Sequence, residues 1–109
     1  MTQGTTPTIS FSFDEDIDFT LIDYCEATFN QNGKNIIIKK LKRNYSDMTY
    51  ECLLTEKDTL LLKPGACKVQ VKIKLKDGGI IATNIAVLTV NEILHGEVML
   101  WMRKVILFI

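Results

Sequence analysis

Apolar and polar residues alternate with period 2 along much of the chain, most cleanly at Val69-Gln70-Val71-Lys72-Ile73-Lys74-Leu75-Lys76. Successive side chains of an extended strand point to opposite faces. Val69, Val71, Ile73 and Leu75 therefore share one face, and Lys68, Gln70, Lys72, Lys74 and Lys76 share the other. Asp77-Gly78-Gly79 follows at once, and a second apolar run fills residues 80–90. Asp-Gly and Gly-Gly supply the positive φ angles that tight turns need, so the pattern predicts a β-hairpin.

The same reading extends to the rest of the chain. Ile9, Phe11 and Phe13 alternate with Ser10 and Ser12, which predicts a first strand over residues 8–14, with Pro7 at its start where a missing amide donor costs little. Residues 24–30 predict a second main strand. Asn32-Gly33 is the strongest short hairpin signal and leads into the β-branched residues 35–41. Residues 48–54 alternate again. Thr55 with Asp58 three positions on resembles a capping box, so one helical turn is expected over residues 55–61, ended by Lys63-Pro64-Gly65. A connection over residues 91–96 precedes an apolar tail, residues 98–109.

About seven short strands, spaced roughly 8–12 residues apart with turn residues between them, predict an all-β fold. The expectation is an antiparallel immunoglobulin-like β-sandwich with one short helical turn, and a small barrel is the alternative. The paired cysteines around a buried Trp that mark true immunoglobulin domains are missing, so that likeness is architectural. At 109 residues the chain has the size of a single domain. Residues 98–109 are expected to be an apolar C-terminal strand or arm.

Net charge is zero, with 13 Lys+Arg against 13 Asp+Glu, but the charges are segregated. Residues 1–33 carry the six acids Asp14, Glu15, Asp16, Asp18, Asp23 and Glu26 and no base. Residues 34–76 carry eleven bases and four acids, a difference of +7. The lysine face of the hairpin thus has an acidic counterpart, either in the same molecule or in a neighbour. Lys68, Lys72, Lys74 and Lys76 have no aromatics among them, and the balanced net charge gives no long-range pull on phosphate, so nucleic acid is not expected as a partner. Lysines on a strand also discourage unwanted edge pairing.

Candidate chemistry is sparse. His95 is the only histidine, which excludes a multi-histidine metal site and leaves a Cys–His pair only if Cys25, Cys52 or Cys67 folds beside it. Asp14, Glu15, Asp16 and Asp18 lack the glycine and distal Glu of a calcium loop. No glycine-rich loop precedes a helix. No catalysis, metal or cofactor is expected. Three unpaired, widely spaced cysteines suit a reducing compartment, and residues 1–10 lack the basic and apolar regions of a secretory signal. The tail is too short to span a bilayer and is broken by Arg103 and Lys104. Trp101 and Phe108 in that tail are expected either to complete the sandwich or to dock on a partner.

A resemblance reaches further. Gly4-Thr5-Thr6-Pro7-Thr8 leading into Ile9-Ser10-Phe11-Ser12-Phe13, Leu54-Thr55-Glu56-Lys57-Asp58-Thr59-Leu60, and the hairpin closing on Ala82-Thr83-Asn84-Ile85 together resemble small proteins encoded in tail and baseplate gene clusters of phages and prophages of Firmicutes. The likeness covers residues 3–97 in order and spacing. It implies a fold similar to the N-terminal β domain of phage baseplate upper proteins, and a non-catalytic role in a tail or baseplate. Implied partners are other phage structural proteins or further copies of the chain, in the virion or the host cytoplasm. Residues 98–109 depart from the family, whose members end near Val98-Met99. Lys68, Lys72, Lys74, Lys76, Asp14, Glu15, Asp16, Trp101 and Phe108 are the candidate interface residues. The alternative is a cytoplasmic immunoglobulin-like ligand-binding or regulatory module.

Overall fold

A computed structural model of the protein describes residues 1–14, 17–92 and 102–107. The elements in chain order are β1 (Thr8–Phe13), a 3-10 turn (Phe19–Leu21), β2 (Ile22–Gln31), β3 (Lys34–Lys40), β4 (Lys42–Asn44), β5 (Thr49–Leu53), α1 (Glu56–Leu61), β6 (Gly65–Leu75), β7 (Ile80–Ala82), β8 (Ala86–Val90) and β9 (Met102–Leu107). They form two sheets. The smaller has the order β4-β5-β1-β9; the larger has the order β3-β2-β6, with β7 and β8 both paired to the far side of β6.

The local signals act as their chemistry requires. Asn32 and Gly33 both take positive φ, 52° and 76°, which a two-residue hairpin turn demands. In the second hairpin only Gly78 does so, at 95°; Gly78 N–H donates to the Leu75 carbonyl at 3.0 Å, and Leu75 N–H to the Gly79 carbonyl at 2.8 Å. The turn thus has three residues and uses one glycine for its backbone geometry. Thr55 and Asp58 form a complete capping box at the start of α1. Gln31 then fixes the chain entering β6: its amide donates to the Lys63 carbonyl at 2.8 Å and accepts from Lys63 N–H at 2.9 Å.

Among the described residues nine strands replace the expected seven or so, because a short separate strand, β4, follows β3 and the run over residues 80–90 is broken into β7 and β8. Between β3 and β4, Leu41 N–H donates to the Cys25 carbonyl at 2.9 Å, after which the chain passes to the smaller sheet. Between β7 and β8, Thr83 N–H donates to the Val71 carbonyl at 3.0 Å while the Thr83 hydroxyl accepts Val71 N–H at 3.1 Å. A side-chain oxygen stands in for a ladder carbonyl, so the central strand stays satisfied across the break.

Two expectations are corrected. The sandwich is not wholly antiparallel, because β9 runs parallel to β1 from Thr8 opposite Met102 to Phe13 opposite Leu107. Parallel strands cannot be joined by a tight turn; here the first and last strands meet, and the chain between them is the crossover. The strand order also differs from the immunoglobulin one, in which the second and third strands lie in opposite sheets. β2 and β3 are neighbours in one sheet. A two-residue turn holds its strands at hydrogen-bonding distance and cannot carry the chain across the ~10 Å between stacked sheets.

One hydrophobic cluster lies between the sheets. Ile9, Phe11, Tyr50, Cys52 and Leu107 enter it from the smaller sheet, and Ala27, Phe29, Val69, Val71, Ile73 and Leu88 from the larger. Of the apolar tail, β9 completes the smaller sheet and buries Leu107. Trp101 and Phe108 lie outside the described residues.

Candidate interaction face

The outer face of the larger sheet is set by the register of three strands. In β6, Cys67, Val69, Val71 and Ile73 are fully buried, so Lys68, Gln70, Lys72 and Lys74 point outward. Opposite them in β2 stand Asn30, Thr28, Glu26 and Tyr24, respectively. In β3, Lys40 pairs with Glu26 and Ile38 with Thr28. Ile80 of β7 lies opposite Lys74, and Val87 of β8 lies opposite Lys68.

This face is basic and aliphatic together. Lys40, Lys68, Lys72 and Lys74 are set against Glu26, which sits between Lys72 on one neighbouring strand and Lys40 on the other. Ile38 (57% exposed), Ile80 (57%), Ile85 (54%) and Val87 (62%) are open to solvent. The Lys40 ammonium lies 4.6 Å from the centre of the Tyr24 ring, so that aromatic already has a cation over it. An open depression of about 220 Å³ is lined by Thr28, Asn30, Asn35, Lys68, Gln70 and Ile85. A second, of about 270 Å³, shares Asn30 and Lys68 with it and extends toward the Asn32-Gly33 turn.

Three of the four predicted lysines lie on this face. Lys76 belongs to the turn, where its N–H donates to the Leu21 carbonyl at 3.0 Å. Its charge acts on Asp18, whose carboxylate accepts the Thr20 hydroxyl at 2.6 Å and the Thr20 N–H at 2.9 Å. The Thr20 hydroxyl is the main reason Asp18 is held below its ordinary carboxylate range. Asp18 and Glu26 thus face cations of their own molecule, and part of the charge segregation is settled within the fold. Asp14, the residue after β1, donates its N–H to the Leu107 carbonyl at 3.0 Å, away from the lysine face. Glu15 and Asp16 lie outside the described residues.

The thiols are closed off. Cys25, Cys52 and Cys67 are all fully buried. Burial pushes Cys25 and Cys52 up to about 12 and raises Cys67 as well. A thiol held so far above neutral pH supplies almost no thiolate nucleophile. His95 lies outside the described residues. Among the described residues no group of three His, Cys, Asp or Glu side chains is placed to hold a metal ion, and no helix is long and apolar enough to cross a membrane.

The aliphatic half of the face escaped the sequence reading, although one signal for it was present. In a strand, Ile36-Ile37-Ile38 must place isoleucines on both sides. Ile37 is buried and Ile38 is exposed.

These features define a mostly β, two-sheet, sandwich-like protein with one short helix and an outer face of lysine and aliphatic side chains. No family model, curated protein or solved structure matches the chain.

Proposed function

We propose that the protein is a non-catalytic interaction module of a phage or prophage, working in the assembly of the tail or baseplate. The observation that carries the interaction half of this reading is the outer face of the larger sheet. There Lys68, Lys72 and Lys74 share the outer surface with the exposed side chains of Ile38, Ile80, Ile85 and Val87. Several large apolar side chains left exposed on one sheet face are a feature of surfaces that meet a partner. The phage context rests on the resemblance of residues 3–97 described above. The likeness to immunoglobulin-like modules extends only to two stacked sheets. A small-molecule regulatory module would call for an enclosed, mostly apolar cavity. The depressions at this face are open to solvent and not enclosed, which favours a protein partner.

Affinity capture of the full chain from induced prophage cultures, with mass spectrometry of particles and assembly intermediates, tests the reading. Co-purification with tail or baseplate proteins is expected, and Lys72→Glu with Lys74→Glu should abolish it while leaving thermal unfolding unchanged. Recovery as a monomer, free of tail proteins at every stage, would overturn it.

A further inference from the structure

We propose that the depression beside Lys68 seats a carboxylate side chain, aspartate or glutamate, from the surface of the partner protein. This rests on the reading of the outer sheet face as an interface and names the chemistry of the group that anchors there. Lys68 is exposed and has no ion-pair partner among the described residues. Asn30 donates its amide N–H to Asn35 Oδ1 at 2.9 Å, which leaves the Asn35 amide nitrogen with its own two N–H donors. Exchanging the oxygen and nitrogen of both amides leaves the same inventory, one free NH₂ and one free carbonyl at the same rim. Gln70 directs its NH₂ to the Thr83 carbonyl at 2.8 Å, so the donors of the seat lie on the Asn35 and Lys68 side. An ammonium and a carboxamide NH₂ converging on one depression suit an anionic acceptor.

Size and surroundings narrow the class. About 220 Å³ is below the range of sites for drug-sized ligands and takes a single side chain. Ile85 forms an apolar wall that the methylenes of an acidic side chain would cover. Lys40, Lys72 and Lys74 against Glu26 keep the field around the seat positive. A second copy docking through the same face would bring lysines against lysines, which selects against a symmetric dimer. Nucleic acid would call for free aromatic rings, and Tyr24 stacks under Lys40.

The test uses the full chain and two capped tripeptides, acetyl-Ile-Glu-Ile-amide and acetyl-Ile-Gln-Ile-amide, titrated by NMR. The Glu peptide should shift the side-chain amide signals of Asn30 and Asn35 saturably, with affinity about tenfold or more above the Gln peptide. Lys68→Ala and Asn35→Ala should remove the response, Lys68→Arg should keep it, and Lys57→Ala, on α1, should leave it intact. Equal response to both peptides, persistence in Lys68→Ala, or equal occupancy by inorganic phosphate would overturn the carboxylate seat. So would tighter binding of a thymidine oligonucleotide at the same signals. If the seat fails while wild-type protein still co-purifies with tail proteins, the interface reading stands and only the anchor is wrong. Loss of co-purification defeats the interface reading itself.

Discussion

The Arg43 guanidinium in β4 donates through Nε to the Tyr50 hydroxyl in β5 at 2.8 Å, and through Nη2 it reaches the Ile22 carbonyl of the opposite sheet at 2.8 Å. One side chain thereby ties the two layers beside the Leu41 crossing, and its third bond, to the Tyr45 hydroxyl at 2.6 Å, steadies the following loop. Ile22 is fully buried, so removing the guanidinium leaves its carbonyl short of a donor. Arg43→Ala should cost roughly 2–3 kcal/mol in urea unfolding. Arg43→Lys should recover little of this, because an ammonium cannot span three acceptors in one plane. Tyr50→Phe should cost about 1 kcal/mol. An Arg43→Ala protein as stable as wild type would show that the clamp is incidental.

Much of this fold is legible where local chemistry decides the outcome. Alternation locates β6 and its two faces, Asn32-Gly33 locates a hairpin, and Thr55 with Asp58 starts a helix. The same Asn32-Gly33 turn argues against the immunoglobulin strand order, since it binds β2 to β3 within one sheet. The breaks at Leu41 and Thr83 are not legible, because each is set by a bond to a residue distant in sequence, Cys25 and Val71. At the candidate face the lysines are legible and Ile80, Ile85 and Val87 are not. An uninterrupted apolar run does not say which of its members faces the core.

The buried thiols give a chemical test of the non-catalytic reading. With Cys25 and Cys52 pushed up to about 12 and all three side chains out of solvent, the native protein should resist a thiol reagent such as iodoacetamide at pH 8. Labelling should proceed only through unfolding, with all three sites modified together in denaturant. Selective, fast modification of one cysteine in the native protein would instead identify an activated nucleophile.

Asp58 links the capping box of α1 to the edge strand β3, with its carboxylate 2.7 Å from the Lys39 ammonium. Burial alone would raise this carboxyl, but bonds from Lys39 and from the Thr55 N–H, with the Thr55 hydroxyl contributing, bring it below its ordinary value. A folded-state value below the unfolded one, about 3.9 for Asp, means that this stabilisation is fully present above pH ~4 and is lost as pH falls through the folded value. Asp58→Asn should therefore be less stable than wild type at pH 7, by no more than about 1 kcal/mol because the pair is partly solvated. The difference should shrink toward zero as the buffer is acidified below the folded-state value. Unfolding curves of the two proteins that keep a constant gap from pH 7 to pH 2 would contradict the linkage.

Thr83 offers the sharpest single-atom test of how the larger sheet tolerates a broken strand. Its hydroxyl accepts Val71 N–H at 3.1 Å and donates to the Asn84 carbonyl at 3.0 Å, at a position only 3% exposed. Thr83→Val keeps the shape and removes both functions, which strands the amide of the central strand β6. Thr83→Ser keeps the oxygen and removes a methyl group. If the hydroxyl replaces a ladder carbonyl, Val should cost about 1–3 kcal/mol, and Ser about 1 kcal/mol or less. The Val71 amide should also lose hydrogen-exchange protection in the Val variant, whereas Ile73 and Val69 on either side keep theirs. Equal stabilities for Val and Ser, with Val71 still protected, would mean that the backbone closes the ladder across the break without the side chain.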